Sequence, residues 1–263
     1  MNVDRKYVRY EVEGRLAVVT IDNPKMNALG MPVIADLEAV FDELEGRKDI
    51  GVAIITGAGE RAFVAGADIK GFKDVFGRKD IAFDSARKMQ ACFTKIEKSR
   101  LVVIAAINGL ALGGGCELAS ACDIRIAADT VIIGVPEVKL GLIPGAGGTQ
   151  RLGRLLGKGR AKLMVLSGDF FTAQDAFQLG LLEKVVPAKD LMAEAKKLAG
   201  SILSNAPLAV EAGKKAINQG VEMSLEDGLV FEASLVGDLF LTEDLREGAG
   251  AFVEKRFPVF KGK

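Results

Sequence analysis

Two glutamates stand beside glycine-rich turns in a chain that contains no histidine. Glu117 follows Gly113-Gly114-Gly115-Cys116 and is the only charged residue between Asn108 and Cys122. Three glycines at a helix start leave backbone N–H groups open to a ligand, with the positive end of the helix dipole behind them. Such a terminus suits a developing negative charge. Glu137 follows Gly134-Val135-Pro136, and the proline ring fixes the backbone just before the carboxylate. Taken alone, each is also compatible with an ordinary helix-start glutamate. Together, two carboxylates beside a backbone anion site could work as an acid/base pair, one giving a proton and one taking it.

The missing histidine narrows the alternatives. Neither a Ser-His-Asp nor a Cys-His nucleophile can be assembled. Cys92, Cys116 and Cys122 lack C-x-x-C spacing, so no metal is expected. The only tyrosines, Tyr7 and Tyr10, lie near the N-terminus, which leaves carboxylates as the leading proton carriers. Gly57 to Ala62 matches G-x-G-x-x-A, but Gly66, Asp68 and Gly71 follow, and no apolar helical face begins before Ile81. A dinucleotide site needs a helix opening at that turn, so this reading is set aside. Gly157-Lys158 has no following Ser or Thr, and a P-loop fails. Arg61 to Lys70 is a run of small residues, either a tight turn or a place where a ligand nears the backbone. Arg87, Lys88, Lys95, Lys98 and Arg100 form either a solvated helix face or a contact for a phosphate-bearing ligand.

The elements that must position these residues alternate along the chain. Tyr7 to Val12 and Arg15 to Ile21 read as a hairpin turning at Glu13-Gly14. Pro32 can begin a helix with Val33, Leu37, Val40, Phe41 and Leu44 on one face. Gly51 to Thr56 reads as a strand, and Ile81 to Lys98 as a helix burying Met89, Cys92, Phe93 and Ile96. Leu101 to Ile107 is continuously apolar, as a strand covered on both faces should be. A small-residue helix from Gly113 to about Cys122 is followed by short strands at Asp123 to Ala127 and Val131 to Ile133. From about Arg151 the pattern is mostly helical, with breaks at Gly157, Gly168, Gly180 and Pro187. Strands alternating with helices predict an α/β fold with a covered sheet. Residues 1–190 are expected to form the core and 191–263 an appended helical layer.

The 263 residues are 49% hydrophobic, enough for a large core, and 35 basic residues balance 35 acidic ones. That balance supplies no general attraction to nucleic acid or to a membrane. Three cysteines suit reduced thiols, and Met1 to Arg15 lacks a signal-type apolar core, so a cytoplasmic location is expected. The longest apolar run is too short to span a bilayer.

As a set, these segments resemble the crotonase (enoyl-CoA hydratase/isomerase) superfamily, and within it the enoyl-CoA hydratases. The residues that carry the resemblance are Ala65-Gly66-Ala67-Asp68-Ile69-Lys70, Asn108-Gly109, Gly113 to Ala119, Asp123-Ile124, Gly134 to Val138, and Gly141 to Leu152. The tail adds Arg246-Glu247-Gly248 and Ala251 to Arg256, so the match runs from end to end. The resemblance implies a spiral of β-β-α turns, a C-terminal helical region that drives trimerisation or hexamer formation, and a coenzyme A thioester substrate with no separate cofactor. It implies hydration of 2-enoyl-CoA, as in fatty-acid β-oxidation, with Glu117 and Glu137 as the carboxylates and an oxyanion hole at the N–H groups of Ala67 and Gly114. Coenzyme A contacts are implied for Lys25, Met26, Ala65, Asp68, Ile69 and Lys70. They are implied also for Phe252 and Lys255, often from a neighbouring subunit. Arg100-Leu101 departs from the Lys-Pro of many members, and Phe72 to Lys98, the expected acyl-pocket wall, matches no motif. Isomerisation on the same scaffold would need one carboxylate, so two favour hydration. Some crotonase-like proteins bind RNA through lysine-rich helices; residues 72–100 hold eight Lys or Arg against four acids, too interleaved to favour that reading.

Overall fold

The structure, a computed structural model, describes residues 5–68, 73 and 75–263. The expected hairpin is β1 (Val8–Glu13) against β2 (Leu16–Ile21), antiparallel, with left-handed Gly14 in its turn. Helix α1 (Met31–Gly46) carries Pro32 in its first turn. It buries Val33, Ile34, Leu37, Val40, Phe41 and Leu44, the stripe that 3.6-residue periodicity puts on one face.

Three successive turns of chain then share one plan. In the first, β3 (Val52–Gly57) and β4 (Ala62–Ala65) lead to α2 (Lys79–Lys98). The second runs β5 (Val102–Ile107), β6 (Leu110–Leu112), α3 (Gly114–Ala121). The third runs β7 (Ile124–Ala128), β8 (Ile132–Gly134), a 3-10 turn (Pro136–Leu140) and α4 (Gly148–Ser167). Beyond it come β9 (Phe170–Thr172), α5 (Ala173–Leu179) and β10 (Lys184–Val186). The first strand of each turn enters a six-stranded sheet, β1-β2-β3-β5-β7-β10, and the second a four-stranded sheet, β4-β6-β8-β9. This is the α/β crotonase-like spiral the sequence predicts. Parallel pairing stacks Ile54, Ile104 and Ile124 across three turns, and all six residues of β5 are buried between β3 and β7.

Two local expectations hold: no helix opens after Gly57, where β4 begins at Ala62 instead, and the helical run breaks at Gly157, whose φ of 76° and ψ of 159° are non-helical inside α4. Two others need correction. Two strands, β9 and β10, interrupt the stretch that reads as mostly helical. Each is three residues long and exists through pairing, β9 with β8 and β10 with β7, which local periodicity does not reveal. Met89 is half-buried rather than core. It turns toward Gly114, where an added methyl would lie 3.7 Å from its Cε.

After residue 190 comes α6 (Leu191–Leu203), whose Leu191, Ala195 and Ala199 are buried in the main core. The following α7 (Pro207–Gly220) and α8 (Leu225–Leu239) contain no buried residue. In α9 (Glu243–Glu254) only Asp244 and Ala251 are buried. Polar contacts attach α7 to the core. Lys214 Nζ donates to the Leu101 carbonyl (2.6 Å) and to Asp123 Oδ2 (2.7 Å), which also accepts from Val103 N. Asn218 Nδ2 donates to the Glu97 carbonyl at 3.2 Å. Among the described residues no helix is long and apolar enough to cross a membrane.

Candidate active site

The site lies where β4 and β6 end and α3 begins. Leu29 forms a parallel bridge to Ala67, with Leu29 N donating to Gly66 O and Asp68 N to Leu29 O. Those two bonds use the flanking residues, so the Ala67 N–H points the other way, off the bridge. Gly114 is the first residue of α3, and its N–H falls before the intrahelical ladder starts. A methyl placed on Gly114 would lie 3.9 Å from Ala67 N and 3.1 Å from Leu29 Cδ1, which sets Gly114 beside the Ala67 amide. Helix α3 can come this close because of Gly115. A Cβ there would sit 2.0 Å from the Val64 carbonyl oxygen, inside the atoms of β4.

The Glu137 carboxylate reaches this turn, and Glu117 lies within electrostatic reach of it. A Cβ on Gly113, whose φ of +51° disfavours a side chain, would meet Glu137 Oε1 at 2.7 Å. Glu137 Oε2 is buried and has no hydrogen-bond partner among the described residues. Burial pushes the Glu137 carboxyl above its ordinary pKa. Glu117 is 2% exposed. Its Oε1 accepts from the amides of Ala146 and Gly148, each at 2.8 Å. Gly148 opens α4, so Glu117 also occupies that helix's N-terminus. Burial raises the Glu117 pKa from 4.5 to about 7, against the pull of the Gly148 amide, and the Glu137 charge adds to the rise. The arrangement offers a carboxyl that gains or loses a proton near neutrality, a second one within electrostatic reach, and the backbone amides of Ala67 and Gly114 nearby.

The remaining candidates are dispersed. Ala65 N donates to Met26 O at 3.0 Å, which joins the 23–29 segment to the cradle. Lys25 is exposed and Met26 half-buried. Asp68 follows Ala67 at the mouth of the cradle; Ile69 and Lys70 lie outside the described residues. Phe252, 86% exposed, and Lys255 stand at the open end of α9. Among the α2 cations, Lys95 is paired with Glu38 and Asp42. Arg100 donates to the carbonyls of Leu44, Glu45, Arg47 and Ile50, so the departure at Arg100-Leu101 ties off the end of α1.

Sequence reasoning missed Asn27 and Arg151 as organisers. Asn27 is buried at φ 55°, and its Nδ2 donates to Ala58 O (3.1 Å) and Ala62 O (2.8 Å). An asparagine three residues after a proline, in a segment with turn character, was the available signal, since Asn tolerates the left-handed region. Arg151 grips the loop that holds Glu117 through the Ala146 carbonyl, five residues away, and is itself anchored by Thr94 and Glu97, which are far away in sequence. No group of three His, Cys, Asp or Glu suited to a metal occurs among the described residues.

A family model described as enoyl-CoA hydratase/isomerase matches residues 11–263. The short-chain-enoyl-CoA hydratase of Clostridium acetobutylicum is 45% identical over 250 residues, 94% of each chain. The crotonyl-CoA hydratase of Syntrophomonas wolfei is 43% identical, over 96% of this chain and 97% of that one. The crystal structure of enoyl-CoA hydratase from Bacillus anthracis superposes with a TM-score of 0.93 at 38% identity, covering 98% of this chain and all of the other.

Proposed function

The chain belongs to the enoyl-CoA hydratase/isomerase family, and from that membership we propose that it adds water reversibly to trans-2-enoyl-CoA, giving 3-hydroxyacyl-CoA. The observation that carries this reading is the approach of the buried Glu117 carboxyl and the half-buried Glu137 carboxyl to the Ala67–Gly114 turn. The thioester oxygen sits between the N–H groups of Ala67 and Gly114. One water is held by Glu117 and Glu137. Its oxygen attacks C3 while Glu117 takes its proton, and the electron pair moves through C2 onto the thioester oxygen. The enolate then collapses as Glu137 gives its proton to C2. Glu117 is assigned as the base because two amides and a helix N-terminus favour its ionised form. Glu137 is assigned as the acid because, among the described residues, its buried Oε2 has no donor to stabilise a charge. Each oxyanion donor contributes about 3 kcal/mol to such a transition state.

The relatives' names favour short acyl chains. A hydration assay across C4 to C16 2-enoyl thioesters, with 3-enoyl thioesters in parallel, tests the proposal. Turnover is expected to be fastest at C4. Failure to consume any 2-enoyl thioester, or faster conversion of the 3-enoyl series, overturns it.

The exposed apolar residues of the last helices fit a trimer or hexamer in which Phe252 and Lys255 reach a neighbour's coenzyme A. Three free, buried thiols suit a reducing compartment such as the cytoplasm.

A further inference from the structure

We propose that Arg151 is the positioning residue for the Glu117 carboxylate, acting through the Ala146–Gly148 loop from outside the substrate cleft. The proposal rests on the acid/base reading above and assigns its control to a clasp between α2 and α4. The Arg151 side chain is 10% exposed, and its guanidinium holds three partners at once. Nη1 donates to the Ala146 carbonyl at 3.1 Å, and Nη2 donates to Thr94 Oγ1 at 3.0 Å. Nε and Nη2 both reach Glu97 Oε2, at 3.2 and 2.9 Å. Ala146 is thereby gripped on both sides. Its carbonyl is held by Arg151 and its N–H is donated to Glu117 Oε1.

The loop has a second tie to α2, because Gln90 Nε2 donates to the Gly145 carbonyl at 2.8 Å. Helix α2 is thus the anvil against which the loop is set. Thr94, Glu97 and Gln90 face α4 and the loop, and only the planar fork of an arginine can satisfy a hydroxyl, a carboxylate and a carbonyl together. A lysine keeps the charge but not the fork. The charged and titratable groups facing Glu117 are Glu137 from the 3-10 turn, Arg151 from α4, and the Cys116 thiol on its own helix. Glu97 on α2 reaches it only through Arg151. Positive charge on Arg151 opposes the rise in the Glu117 pKa that burial causes.

The test separates fork from charge in the full-length protein. Carboxyl protonation of Glu117 is followed by infrared difference titration against E117Q, alongside kcat and KM for a C4 2-enoyl-CoA. R151Q is expected to raise the titration midpoint by about one pH unit. It should also lower kcat by about 10- to 100-fold, with KM within about twofold, as expected when an acting group is displaced by a fraction of an ångström. R151K is expected to keep the midpoint and lose kcat, and T94V to lose kcat to a smaller degree. An unmoved midpoint in R151Q, or full kcat in R151K, overturns the proposal. A fall in melting temperature without either change shows a purely structural arginine. Should R151Q not fold, R151K and T94V still decide the matter through kcat. If the parent protein hydrates nothing, the functional reading fails, while the carboxyl titration still reports whether Arg151 governs Glu117.

Discussion

At the scale of single residues, Glu117 links function to stability. Its pKa is about 7 in the folded chain and 4.5 as an ordinary glutamate, so the folded state binds the proton more tightly. The folded protein is therefore unpenalised below about pH 4.5 and loses stability as pH rises toward 7. The full penalty above pH 7 is about 3 kcal/mol at most. E117Q keeps an oxygen for the Ala146 and Gly148 amides without a charge. It is expected to be more stable than the parent in urea at pH 8, with the gap closing at pH 5. The same substitution, and E137Q, should each lower kcat by about a thousandfold or more while acyl-CoA binding stays within a few fold. In the parent, kcat is expected to fall on the acid side of about pH 7 as the base becomes protonated. Both glutamates were legible in sequence because a carboxylate next to Gly113-Gly114-Gly115 or after Pro136 sits where local rules already place an anion. Asn27 and Arg151 were not, because their roles depend in part on partners 31 and 54 residues away, Ala58 and Glu97, that local pattern does not reveal.

At the scale of elements, the strands that read well were those whose environment is written in their own composition. β5 is six apolar residues long and buried throughout. β9 and β10 owe their form to neighbours, and three residues carry too little pattern to announce it. The same distinction applies to α7, which has no buried residue to mark the face that docks. Its attachment depends on Lys214, 8% exposed, paired with Asp123 at 16%. K214M leaves a buried carboxylate without its cation and is expected to cost about 3 kcal/mol in urea unfolding. K214M/D123N, which removes both charges, should recover part of that loss; equal loss in the two variants would show that the pair is not coupled.

At the scale of the whole molecule, the last three helices present an apolar surface that one chain does not cover. Phe240, Leu241, Val253 and Phe257 are between 68% and 94% exposed. Large exposed apolar side chains clustered in this part of the sequence suit an association surface. Sedimentation is expected to give three or six times 27.9 kDa, and L241D to shift the mass toward one chain with loss of activity. Burial has one more effect, visible in bulk proton uptake. The chain has no imidazole, and burial pushes the Cys92 and Cys122 thiols up to about 12 and Cys116 upward as well. Glu117 is therefore the carboxyl expected to titrate between about pH 6 and 8. A potentiometric titration of the entire protein should register roughly one extra hydrogen ion per chain there, which makes the native protein its own indicator for the reaction centre.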